Sequence, residues 1–332
     1  MSDSRIGRGG QVKVYVGKCF RTFFHEKGWK SLVSTAIIAV ILSWVIGNSG
    51  DIYGNQLYNR NGLFAMICGC LWTGLFNSIQ SICRERAIIK REHRTGLHIS
   101  SYVFAHLLFE LVVCLVEGLI LTVIFGLFRG FPEHGVVFPI SAIDFYIGFT
   151  LVIFASDALG ILVSCIVKTE NAAMTVMPFV LIVQLVLCGV IFPLDGKAGV
   201  VKDVTVSKWG LSALCSASDY NNMTSTSAQY LAFQKNSRKL EQKFDEYQNG
   251  DISDDEMEDY MEVMEALANG EEVDEDLAEK YDIDVDLKGE PTAEYESTTA
   301  NIMKAWGVLI GYALLYTLIG ILFLKLVDKD KR

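Results

Sequence analysis

The chain has 332 residues, half of them hydrophobic, with a mean hydropathy of +0.31 and a formal net charge of −10. That apolarity excludes an ordinary soluble domain, and the sequence pI of about 5.1 averages two unlike parts. Residues 232–297 hold 23 of the 39 acidic residues and only 6 of the 29 basic ones, so the remainder is net basic.

The first thirty residues alternate basic side chains (Arg5, Arg8, Lys13, Lys18, Arg21, Lys27, Lys30) with Val14, Tyr15, Val16, Phe20, Phe23 and Phe24. This pattern predicts an amphipathic helix lying on the inner leaflet; a disordered basic leader is the alternative. So much polar sequence before the first apolar run argues against a cleavable signal peptide.

Six runs are long and apolar enough to be read as membrane spans: 31–47, 61–82, 100–128, 141–167, 173–194 and 300–327. Trp29 and Trp44 bracket the shortest as interfacial anchors. Basic residues cluster at the N-terminus, at 83–98 and in the tail, whereas the 48–60 and 129–140 junctions carry one Arg each. Positive charge stays on the cytoplasmic side. Both termini and the 83–98 loop are therefore expected in the cytoplasm, and the acidic segment outside, in a multi-pass plasma-membrane protein. Of the eight cysteines only Cys215 falls on the outer side, which leaves no external disulfide framework.

The loop 83–98, CRERAIIKREHRTGLH, is too charged for lipid and too rich in helix formers for a random link. It predicts a short basic helix that stops at Thr95–Gly96 and either grips lipid head groups or docks a soluble partner. Glu110, Glu117 and Asp157 lie inside apolar runs, and Glu110 and Glu117 share a helix face. Buried acids are costly in a membrane, so they either pair structurally or form a proton or cation relay.

After the fifth run Pro193 and Gly196 break the helix. The stretch 198–215, with Trp209, suits a re-entrant or interfacial segment. In 232–297, Met257, Tyr260, Met261, Met264 and Leu267 recur at helical spacing, predicting a small helical cap; a solvated loop is the alternative. Removing 232–296 is expected to leave assembly intact and to alter the chain's activity or partner binding. Asp282, Asp284 and Asp286 begin like a calcium loop, but Gly289 and Ala293 fall in the wrong places. Asn222-Met223-Thr224 is a glycosylation sequon.

No G-x-x-x-x-G-K-[ST], H-E-x-x-H or G-x-S-x-G motif occurs, and the five histidines form no ligand cluster. The chain is accordingly expected to bind no metal and to carry no catalytic site.

Glu85-Arg86, Arg91-Glu92, Gly96, Ser101-Tyr102, Ala105 and Glu110-Leu111 together resemble the first cytoplasmic loop of type-2 ABC exporter permeases, nearest the membrane half of G-subfamily half-transporters. Asn61-Gly62-Leu63-Phe64, the run Leu187–Ile191 and Trp209 are similar to the family's pattern as well. The resemblance covers roughly 10–215 and 298–327.

It implies an all-α membrane protein of six transmembrane helices with an N-terminal connecting helix and a cytoplasmic coupling helix at 84–97. The large acidic extracytoplasmic insertion before the last span, read from its charge, departs from the family, and its 232–297 portion has no counterpart there. Arg84, Glu85, Arg86, Lys90, Arg91 and Glu92 would contact an ABC ATPase on a separate chain, which would hold ATP and Mg. Phe64, Leu71, Trp72, Leu75 and Phe76, with Leu181, Gln184, Leu185 and Cys188, would line a cavity shared with a second permease copy or a related permease. Val190 and Ile191 would form an apolar plug. The function implied is export of a lipid, peptide or drug-like cargo, with no nucleic-acid partner. The alternative is a non-transporting sensor whose acidic cap binds a cationic ligand and signals to a cytoplasmic ATPase.

Overall fold

The computed structural model describes residues 7–49, 52–192, 194, 199–249, 252–269, 275–280, 288 and 291–329. Among these the chain is helical, with only isolated bridges at Thr224 (to Asn55 and to Lys288) in place of a sheet. The aspartate run 282–286, Gly289, Pro193 and Gly196 lie outside the described residues.

In chain order the helices are α1 (Arg8–His25), α2 (Lys30–Ser49), α3 (Gln56–Ser78), α4 (Ser81–Arg84), α5 (Arg86–Arg94), α6 (Ile99–Arg129) and α7 (Ser141–Ile166). Then come α8 (Glu170–Val186), α9 (Gly199–Lys202), α10 (Val206–Ala217), α11 (Thr226–Gln248), α12 (Asp254–Asn269), α13 (Glu275–Lys280) and α14 (Thr299–Lys329). The N-terminal segment is thus an ordered helix rather than a loose leader.

Among the described residues, five stretches are long and apolar enough to cross a membrane: α2, α3 with α4, α6, α7 and α14. The fifth apolar run differs from expectation. It is helical only over Glu170–Val186, 17 residues, and turns at Gly189, whose φ is +86°. At 1.5 Å per residue that is roughly 25 Å of helix. Val190 and Ile191 therefore sit beyond the helix end.

Helix α7 is the hub. Its most apolar window is 83% buried, against 22% for α2 and 28% for α14, so those two form the flanks. A helix that is apolar all round belongs in the interior, and α7 packs on α3, α6, α10 and α14. Close approach to α3 rests on two glycines. A Cβ on Gly74 would strike the Ile153 carbonyl and the Ser156 side chain, and one on Gly160 would strike Ser78. Small residues at helix crossings let backbones approach where lipid supplies no hydrophobic drive.

The expected interfacial segment is α9 and α10. Helix α10 is 12 residues long, about 18 Å by its rise, and is buried at every residue but Trp209. Its N-terminus is closed by Thr205 Oγ1, which accepts from Lys208 N, and by Gln184 Oε1, which accepts from Val206 N at 2.8 Å.

The acidic insertion contains α11, α12 and α13. Met257, Tyr260, Val263 and Met264 are buried, and α12 packs on α11 and α13. Met261 of the expected stripe is exposed.

Candidate functional site

The basic loop folds as an elbow of two short helices, α4 and α5. Helix α5 stops where the sequence places the stop. Gly96 has φ +112°, and Leu97 N donates to Glu92 O at 3.0 Å. At the break after α3, the amides of Ile82 and Cys83 both donate to the buried Ser164 Oγ of α7, each at 3.0 Å. Arg86, buried, donates to the Val167 carbonyl at the end of α7. Serine and arginine here satisfy groups that a broken helix leaves open.

Helix α1 lies along this elbow and is fastened by a stripe at helical spacing. Gln11 donates to the Gly96 carbonyl at 3.1 Å and accepts from His98 N at 3.0 Å. Tyr15 Oη donates to Glu92 at 2.6 Å. Lys18 Nζ pairs with Glu85 at 2.7 Å, and Tyr102 Oη donates to the same oxygen. Glu26 pairs with Arg84 at 2.7 Å in solvent. Tyr15 also meets the Tyr102 ring edge-on at 5.2 Å, and Phe20 meets Phe109 at 5.1 Å.

Partial burial opposes ionisation of Glu85. The Lys18 and Tyr102 hydrogen bonds and the Lys18 charge outweigh it and hold the carboxyl below its ordinary value. Burial and the Glu92 hydrogen bond push the Tyr15 hydroxyl up, so it stays a donor. Burial pushes the Cys19 thiol up to about 12, which keeps it protonated.

The predicted coupling residues divide into two sets. Arg84 and Arg91 are exposed, as are Ile88, His93 and Arg94 beside them. Glu85, Glu92 and Arg86 are spent on holding the elbow to α1 and α7, and Lys90 is half-buried.

The three predicted buried acids are all buried. Glu117 accepts from Asn77 Nδ2 at 2.9 Å and Thr35 Oγ1 at 3.3 Å, and the Cys114 thiol donates to Asp157 at 2.6 Å. Glu110 has no hydrogen bond or ion pair among the described residues. A fourth buried acid, Asp144, accepts the amides of Val136, Val137 and Phe138 at 2.8–3.2 Å and folds the 131–140 loop onto the start of α7.

Of the predicted cavity residues, Leu71, Leu75, Leu181, Gln184 and Cys188 are buried within this chain, and Phe64 and Leu185 are half-buried. Trp72 and Phe76, one turn apart on α3, are about half exposed. On the neighbouring α8, Phe179, Ile182 and Val183 are exposed too. Val190 is half-buried and Ile191 exposed.

The region from α1 to α10 matches a known family model. The model described as ABC-2 type transporter matches residues 10–216, more than half of the chain. The chain belongs to the ABC-2 type transporter family. The matched region holds α1 to α10, and the acidic insertion and α14 lie beyond it.

A curated relative is the ABC transporter ATP-binding/permease protein Rv1747 of Mycobacterium tuberculosis, 28% identical over 154 residues. The alignment takes in 46% of this chain and 18% of the relative. The ABC-2 chain thus spans about a fifth of that relative's length. With its apolar helices it is a multi-pass membrane protein.

Several residues that build the ABC-2 elbow are not evident from the sequence. Gln11, Tyr15 and Lys18 reach partners 67 to 87 positions away. Ser164 and Asp144 sit in an apolar run; Asp144 serves the adjoining loop, whereas Ser164 serves amides more than eighty positions earlier. The stripe Gln11–Tyr15–Lys18 is the one signal that points to the α1 contacts, because its spacing puts three polar side chains on one helix face.

Proposed function

We propose that this chain is the permease component of an ATP-driven exporter, coupled through the α4–α5 elbow to an ABC ATPase domain carried on another chain, which supplies ATP and Mg. The observation that carries the reading is the division of labour in the elbow. Its inner residues lock it to α1 and α7, while Ile88, Arg91 and Arg94 face outward. A rigid lever with one basic, partly apolar exposed face suits a partner that pushes on it. Rigid-body movement of packed helices would carry the push to α3 and α7.

The exposed apolar faces of α3 and α8 support a cavity or interface completed by a second permease copy or a related one. They favour an apolar or amphipathic cargo. Under this reading α8 is a sixth, short span, both termini and the elbow are cytoplasmic, and the acidic insertion lies outside the plasma membrane.

The test is a mild-detergent pull-down from the native membrane, with crosslinking and mass spectrometry. We expect an ABC ATPase in stoichiometric amount. Arg91→Glu with Arg94→Glu should cut its recovery at least tenfold while the variant still elutes as a monodisperse peak. Recovery of no ATPase with the unaltered chain would overturn the reading.

A further inference from the structure

The α1–elbow stripe is interrupted between Lys18 and Glu26. There a cavity of about 320 Å³ opens, walled by Thr22 and Phe23 of α1, Asn77 of α3, Ser81 of α4, and Phe109 and Glu110 of α6. That volume is in the range of small-molecule sites. His106 lines it as well, as do two matched ion pairs, Glu85 with Lys18 and Glu26 with Arg84, whose charges cancel. Glu110 is not matched. It is 4% exposed, and the charged groups that act with it are Glu117 and Asp157, both acids. An ionised carboxylate facing a cleft without a partner is unfavourable and favours a bound counter-charge.

We propose that this cleft binds an amphiphilic organic cation, with Glu110 as its counter-charge. An anion would be placed beside Glu110 with Glu117 behind it, and like charges there repel. Among the described residues no group of three ligand side chains suits a metal ion. The apolar part of the cation has a place prepared. Phe23 and Phe109 stand 5.6 Å apart at 63°, and an aromatic face attracts a quaternary or primary ammonium. Neither Trp72 nor Phe76 of α3 nor any residue of α8 lines the site, so it is not the cargo route proposed above. Its occupant touches α1, the elbow and α6 together, and so bears on the same clamp that holds the lever.

Equilibrium binding of radiolabelled benzyltrimethylammonium to the purified full-length chain in lipid nanodiscs tests this without ATP or a partner. The probe is a permanent cation, and neopentylbenzene is its neutral isostere. We expect saturable binding at one site per chain, at least tenfold weaker competition by neopentylbenzene, and at least a tenfold loss of affinity in Glu110→Gln. Thr22→Trp, which fills the cleft from the half-buried side of α1 and leaves Glu110 in place, should abolish binding. It decides the matter should the glutamine variant misfold. Absence of saturable binding overturns the proposal. So does equal affinity for the neutral isostere, undiminished affinity in a folded Glu110→Gln, or undiminished binding in Thr22→Trp. An ATPase missing from the pull-down would leave this result untouched.

Discussion

At the residue scale the decisive pair is Lys18 with Glu85. A single carboxylate oxygen takes both the Lys18 ammonium and the Tyr102 hydroxyl, and it is the point where α1, the elbow and α6 meet. The pair is only partly exposed, at 32% and 20%, so solvent screens it incompletely. The folded carboxyl titrates below 4.5, its ordinary value. Its contribution is therefore fully present above pH 4.5 and is lost as pH falls through the lower folded value. A double-mutant cycle of Lys18→Met and Glu85→Gln should give a coupling of roughly 1 kcal/mol at pH 7. The same cycle should lose that coupling on acidification below 4.5. A coupling of zero at pH 7 would mean that the pair does not hold α1 to the elbow.

At the element scale the bundle is organised by α7, and its crossing with α3 depends on the absence of side chains. A Cβ at Gly74 meets backbone on α7, which yields less readily than the end of a flexible side chain. Gly74→Val should therefore separate the two helices or shift one along the other, at a cost of about 1–3 kcal/mol or more. Gly17→Ala, with open space around the site, is its control. A fall in the thermal midpoint of the first and not the second, followed by fluorescence size-exclusion, is the expected outcome.

Most elements were legible in the sequence because lipid leaves hydropathy as a strong signal over about twenty residues. The elbow's stop at Thr95–Gly96 was legible through glycine chemistry, whereas its start at Ser81 and its break at Glu85 into α4 and α5, where a single helix over 84–97 was expected, were not. What escaped were elements decided by partners. Helix α8 stops at Val186 although the apolar run continues to 194, because Gln184 is used to close α10 and the chain turns there. Leu71 and Leu75 are buried and Trp72 and Phe76 exposed on the same helix. Composition could not separate them, since all four are apolar and only the neighbours of α3 decide.

At the scale of the whole molecule, the acidic insertion leaves and re-enters the bundle at one place. Thr224 bridges to Asn55 on one side and to Lys288 on the other, and Asn221 exchanges hydrogen bonds with the Thr292 backbone at 3.0 and 3.2 Å. The segment from Thr292 onward belongs to the bundle rather than to the insertion. Ser212 Oγ donates to the Glu294 carbonyl at 2.7 Å, Asn301 Nδ2 donates to that carbonyl and to Ser216 Oγ, and the Tyr295 ring packs on Tyr220 at 4.9 Å. A deletion of 232–296, drawn from charge alone, would therefore cut into the seat of α10 and α14. Joining Thr226 to Pro291 by a short Gly/Ser linker keeps Asn221 opposite Thr292 and Glu294 under Ser212. The shorter deletion should retain a monodisperse detergent peak and a thermal midpoint within a few degrees of the full chain, because α11 to α13 pack on one another and the anchors stay. Deleting 232–296 should lower that midpoint clearly, as buried hydrogen-bond donors are left without partners. Equal midpoints for the two deletions would mean that 291–296 adds nothing to the bundle, and unfolding of the shorter one would make the acidic segment part of the core.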